Sequence, residues 1–211
     1  MSTYDLEEQE QLAALKAWWN ENANLILSAV TIVLLAFAGW NGWNWYKRYQ
    51  SLQAASYYEV LQKAARANDI KAVKEAAGNV LEKYSGTLYG PLAALVSAKA
   101  HYQAGDLKTA KVQLQWAVDN APEELKSVAR LRLAQVLIDE GTPDEALKVL
   151  SAKPSTGFDA LFDALRGDIY LIQKKTGEAR SAYHAALDKA GANDADLRNQ
   201  LRLKLDALGD G

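Results

Sequence analysis

The apolar positions along the chain fall into two regimes. From residue 22 to residue 46 no side chain is charged, and Leu25 to Ala38 reads LILSAVTIVLLAFA, with only Ser28 and Thr31 polar. From about Tyr49 onward, apolar residues instead recur at three- and four-residue steps. Breaks fall at Asn68-Asp69, Ser85-Gly86, Gly105-Asp106, Ala121-Pro122, Gly141-Thr142-Pro143, Pro154-Ser155, Lys174 to Gly177 and Gly191 to Asp194. Recurrence at three and four is the period of one helix face, and no stretch alternates as a half-buried strand does. The pattern predicts an all-α fold, with helices of roughly 12 to 20 residues joined by short turns.

The uncharged run is flanked by aromatic residues, Trp18 and Trp19 before it and Trp40, Trp43 and Trp45 at its end. At ~1.5 Å per residue, Trp19 to Trp40 spans roughly 31 Å, the hydrocarbon thickness of a bilayer. Indole rings then reach both interfaces, where a body that is part apolar and part polar is best solvated. Residues 22–46 are therefore expected to form a transmembrane helix with the lipid bilayer as its partner. A buried core helix and a cleaved signal peptide are the rival readings, the latter because Ala36-Phe37-Ala38 is a small-residue pattern of the kind a signal peptidase accepts. Against cleavage, the first 21 residues carry Asp5, Glu7, Glu8, Glu10 and Glu21 against the single basic Lys16, so a positive leader region is missing.

Residues 1–21 form an acidic tail. Within it, Leu12, Leu15, Trp18 and Trp19 recur at helical spacing, which suggests either an amphipathic helix over Glu7 to Asn20 lying along the interface or the frayed start of the span itself. Lys47 and Arg48 follow the span and pull the C-terminal side toward the cytoplasm, although a long domain can be translocated regardless of such charges.

Charge and candidate chemistry narrow the function. Lys and Arg number 24 against 26 Asp and Glu, a net charge of −2, which gives no electrostatic footprint for nucleic acid. Cysteine is absent, so disulfides, thiolate metal sites and thiol nucleophiles are excluded. His101 and His184 lie far apart and make a poor metal site. Asp144 and Glu145 are adjacent on a helix and diverge, which suits a helix N-terminus better than paired acid–base work. In Arg166-Gly167-Asp168 the glycine is expected to serve helix packing rather than an adhesion motif. No glycine-rich phosphate loop occurs. The expectation is a non-enzymatic chain with no cofactor and no small-molecule substrate.

Gly105 and Gly141 lie 36 residues apart, each followed five residues on by an alanine, Ala110 and Ala146. A period close to the ~34 residues of helix-pair repeats predicts a solenoid over residues 47–211. The pattern resembles tetratricopeptide repeats. With Pro91 at repeat position 1, Ala98, Gly105-Asp106-Leu107, Ala110, Ala117 and Pro122 fall on that motif. A second unit from Ser127 has Ala134, Gly141, Ala146 and Leu150, with Pro154 shortening its second helix. A third from Ala160 has Gly167, Tyr170, Ala179, Tyr183 and Ala186. Residues 50–85 supply an earlier, degenerate pair, and Asn193 to Leu208 a capping helix. The first helix of each pair faces the inner groove of such a stack. Its expected partner-binding residues are Leu92, Leu95, Lys99 and Tyr102, then Val128, Leu131, Gln135 and Ile138, then Leu161, Ala164, Asp168 and Leu171. The lysine, arginine and asparagine set of a carboxylate clamp is missing. Whether this groove is open or filled by the C-terminal helix is not fixed by the pattern.

Leu88-Tyr89-Gly90, the run Leu125 to Ala134, the string Asp163 to Asp168 and Ala179 to Tyr183 closely resemble the ancillary SecYEG translocon subunit family, the YfgM type, over almost the whole chain. The resemblance implies an inner-membrane protein of a Gram-negative bacterium with a cytoplasmic N-terminus and a periplasmic repeat domain. It also implies association with SecYEG and with a PpiD-type membrane-anchored chaperone, passing translocated chains toward periplasmic chaperones. That orientation opposes the charge signal at Lys47 and Arg48, which favours a cytoplasm-facing adaptor recruiting soluble partners.

Overall fold

Nothing between Tyr4 and Arg66 stops a helix: the run has no proline, and Gly39 and Gly42 each cost a helix only about 1 kcal/mol relative to alanine. In the computed structural model, which describes residues 4–191 and 194–209, this run is accordingly one helix, α1 (Tyr4–Arg66). Tail, apolar run and the first element of the repeat thus lie on one continuous helix, with no break at the expected boundaries after residues 21 and 46. The first three residues of the acidic tail lie outside the described residues. The chain divides into two units, Met1–Tyr49 and Gln50–Gly211, so the repeat unit begins just after the expected boundary at Lys47.

In the first unit, Leu25, Leu34, Leu35, Phe37 and Trp40 are all exposed. Helix α1 carries an 18-residue window long and apolar enough to cross a membrane, with none of it buried, which removes the core-helix reading. The polar side chains of this stretch return their donors to the backbone one turn back: Ser28 Oγ to the Asn24 carbonyl and Thr31 Oγ1 to the Leu27 carbonyl, both at 2.7 Å. Asn41 Nδ2 does the same with the Phe37 carbonyl at 3.2 Å. A bilayer interior demands such internal satisfaction.

The second unit contains the last turns of α1 followed by α2 (Ile70–Lys83), α3 (Tyr89–Gln103), α4 (Leu107–Asn120), α5 (Glu123–Asp139), α6 (Pro143–Leu150), α7 (Asp159–Ile172), α8 (Thr176–Lys189) and α9 (Ala195–Ala207). From α2 on, each helix packs on the next, and α5 also touches both α3 and α7. Contact between the first helices of successive pairs is what makes a solenoid. Among the described residues there is no strand.

All four hairpins turn through one residue with left-handed backbone: Asn68 (φ 54°), Gly105 (φ 79°), Gly141 (φ 78°) and Lys174 (φ 61°). Glycine takes this conformation without strain, whereas a residue with Cβ loses about 1–2 kcal/mol there. Lys174→Gly should therefore stabilise the fold by about 0.5–1 kcal/mol, the gain being trimmed by the extra freedom of glycine in the unfolded chain. A rise in the denaturation midpoint of that variant checks it.

Small residues let the helices approach closely. Ala94, Ala98, Ala110, Ala117, Ala129, Ala134 and Ala146 are buried with Leu114, Leu133, Leu150, Phe162 and Ile169 in the central core. Leu61, Val73 and Val80 form the core of the first pair, and Ala164, Ala179, Tyr183, Ala186 and Leu201 that of the last. Helix α6 is only eight residues long, and its early end, expected from Pro154, is followed by a loop fastened to α5. Buried Ser127 Oγ accepts the Ser155 backbone N–H at 2.9 Å and lies 2.8 Å from the Ser155 hydroxyl.

Candidate functional site

Helices α3 and α5 present their exposed faces side by side, and a pocket of about 310 Å³ opens between them. Its floor is apolar, from Ala98, Leu114 and Val136, and its rim polar, from Lys99, Tyr102, Gln103, Arg132 and Gln135. The Tyr102 hydroxyl donates to Asp139 Oδ2 at 2.6 Å, tying α3 to α5. That hydrogen bond to a carboxylate raises the Tyr102 pKa above its ordinary value. On the α4 side, Lys111 Nζ reaches Glu140 Oε2 at 2.9 Å, a contact that raises the lysine's pKa.

Of the twelve groove residues expected from repeat positions, this pocket gathers Lys99, Tyr102 and Gln135. Val128, Leu131 and Ile138 are half-buried and pack against the central core, and Leu92 is half-buried on α3. Leu95 is only 5% exposed and belongs to the core, so an acidic substitution there tests stability rather than binding. The third set does not extend the pocket. Ala164 is buried in the cluster that includes Leu201 of α9, and Leu171 packs against that cluster. Asp168 Oδ1 accepts from the Tyr183 hydroxyl at 2.6 Å and from Lys204 Nζ of α9. Leu161 remains exposed. The C-terminal helix thus closes the last pair, while no residue of α9 lines the α3–α5 pocket. Repeat numbering missed Gln103 and Arg132, although Gln103 lies four residues after Lys99 and Arg132 three before Gln135, spacings that share a helix face.

Comparison with known proteins places both the fold and the family. The sequence model described as "Tetratricopeptide repeat-like domain" matches residues 16–210. A solved structure titled "MamA RS-1 ArsTM double mutant" shares the fold, with a TM-score of 0.52 and 17% identity over 74% of this chain and 93% of that one. A protein of Aggregatibacter actinomycetemcomitans named "Ancillary SecYEG translocon subunit" is 32% identical over 195 residues, 92% of this chain and 95% of the relative. One of the same name from Escherichia coli K12 is 30% identical over 215 residues, covering 99% of both. The chain belongs to the ancillary SecYEG translocon subunit family.

In this ancillary-subunit family member the remaining candidates for chemistry, His184 apart, are used internally. Each residue of the Arg166-Gly167-Asp168 triplet is occupied: Arg166 binds Asp163 at 2.6 Å and the Leu150 carbonyl, Gly167 lies under the Tyr183 ring, and Asp168 is bonded as above. Asp144, in the first turn of α6, accepts from Gln173 Nε2 at 2.8 Å. His184 is exposed on α8, and no three acidic or imidazole groups among the described residues converge to hold a metal ion.

His101 is 3% exposed, with Nδ1 3.1 Å from Asp106 Oδ2. Asp106 caps α4 by accepting the Thr109 backbone N–H at 3.0 Å, and the Thr109 hydrogen bonds, more than His101, hold its carboxyl below the ordinary 3.8. A carboxyl held low contributes in full above its unfolded pKa and loses that contribution as the pH falls through the folded one. Asp106→Asn keeps a capping oxygen. It should leave neutral-pH stability little changed and flatten the acid limb below about pH 4, as read by circular dichroism across an acid titration.

Proposed function

We propose that this chain is a non-catalytic adaptor working beside the SecYEG translocon, held at the inner membrane by residues 22–46 as a single transmembrane helix. Its N-terminus is cytoplasmic and its repeat unit periplasmic, where the exposed α3–α5 face binds partner polypeptides and helps hand translocated chains to a PpiD-type chaperone. The observation carrying this reading is the alignment with proteins named ancillary SecYEG translocon subunit over nearly the full length of both chains, apolar helix and repeat alike. The physical parts suit the role. An exposed apolar helix needs lipid, a solenoid offers a long surface for other chains, and confinement to one membrane raises the effective concentration of a weakly bound partner.

Affinity-tagged SecYEG, purified from membranes in mild detergent, should retain the full-length chain; its absence from that material overturns the proposal. A second reading, a cytoplasm-facing adaptor, draws on Lys47 and Arg48 just after the span. Alkaline phosphatase, active only after export, separates the two when fused to the C-terminus. The periplasmic reading expects an active fusion, and the cytoplasmic one an inactive fusion.

A further inference from the structure

The pocket between α3 and α5 carries two cations without counter-charges. Lys99 and Arg132 both line it and are exposed, and neither has an ion pair or hydrogen bond among the described residues. Two carboxylates at the C-terminal end of α5 are engaged elsewhere, Asp139 by the Tyr102 hydroxyl and Glu140 by Lys111. Between the two cations the floor is apolar, from Leu114 and Val136, and the volume of about 310 Å³ admits one large side chain.

We propose that this pocket takes a single leucine-sized or aromatic side chain from a partner polypeptide, while an acidic side chain next to it in that partner bridges Lys99 and Arg132. The inference rests on the adaptor reading for its biological setting, but not for its chemistry. An anchor filling a central pocket supplies most of the energy of such contacts. A charge-assisted hydrogen bond at a partly desolvated rim is about twice as strong as a neutral one, so the acid selects which anchors are held. A partner offering a basic residue there meets two like charges and is rejected.

The test uses the full-length chain in detergent micelles and three fluorescent twelve-residue peptides, amidated at the C-terminus so that only side-chain carboxylates are read. The first carries a central phenylalanine flanked by glutamates, the second the same phenylalanine flanked by lysines, and the third serine in place of phenylalanine between glutamates. Fluorescence anisotropy should show the first binding at least about tenfold more tightly than either control. Lys99→Glu with Arg132→Glu should reverse the order of the acidic and basic peptides by a similar factor, with an unchanged circular dichroism melt. Equal binding of acidic and basic peptides, or an order that the double variant does not change, overturns the proposal. SecYEG co-purification keeps the two readings apart. Charge-selective peptide binding without co-purification supports the pocket and sinks the adaptor role, and co-purification with indifferent peptide binding does the reverse.

Discussion

Gly167→Ala should destabilise the repeat unit by about 1–3 kcal/mol, because a methyl group added there has nowhere to go. A Cβ at this position would lie 2.4 Å from Tyr183 Cε1 and 2.5 Å from Cδ1, well inside van der Waals contact. The ring cannot swing aside cheaply. Tyr183 is fully buried against Ala164, Ala179, Ala186 and Leu201, its hydroxyl donates to Asp168, and Lys204 Nζ lies 5.4 Å from its ring centroid. Burial also raises the Tyr183 pKa, with the Asp168 hydrogen bond adding to it, so the phenol stays a donor throughout the ordinary pH range. Relief should come from shrinking the partner. In a Tyr183→Leu background the added methyl should cost much less than in the parent, a coupling that a double-mutant cycle by urea denaturation reads directly. A neutral Gly167→Ala would mean that α7 and α8 are not packed this closely.

Arginine at both Val30 and Leu34 should abolish stable membrane integration, since each charge near the centre of a span costs about 2.5–3.5 kcal/mol on the insertion scale. The two positions lie one turn apart in the uncharged stretch of α1, and both side chains are exposed. The parent chain should resist extraction by alkaline carbonate, and the doubly substituted chain should leave the membrane fraction or be degraded. The parent's intact mass should also include residues 8–38. A mature chain beginning near Gly39 would instead make the stretch a leader that is removed, and the repeat unit would then have no tether.

The helical elements were legible because their ends carry chemistry that a single sequence shows. Gly105-Asp106 and Gly141-Thr142 combine a left-handed turn residue with an N-cap, and Asn68-Asp69 repeats the device with asparagine. The continuity of α1 was not legible, because the change from apolar to amphipathic composition near Tyr46 mimics a boundary although no residue there breaks a helix. For the groove, repeat positions name the helices expected to line it but not how deeply each residue sits. Leu95 and Ala164 have the register expected of the groove and are nevertheless buried, the first in the central core and the second in the cluster to which α9 contributes Leu201. Repeat position puts Asp168 in the groove set, whereas Lys204, 36 residues away, takes it up. Such pairings depend on the path of the chain, which local periodicity does not encode.

Photocrosslinking in intact membranes tests the central claim most directly, with a photoreactive residue replacing Gln135 at the pocket rim or, as the control, Gln115, exposed on α4. The account predicts that Gln135 yields adducts containing a SecYEG subunit, a translocating chain or a membrane-bound chaperone, and that Gln115 yields few. Absence of all three from Gln135 adducts, in membranes where SecYEG is active and the chain is intact, would contradict it.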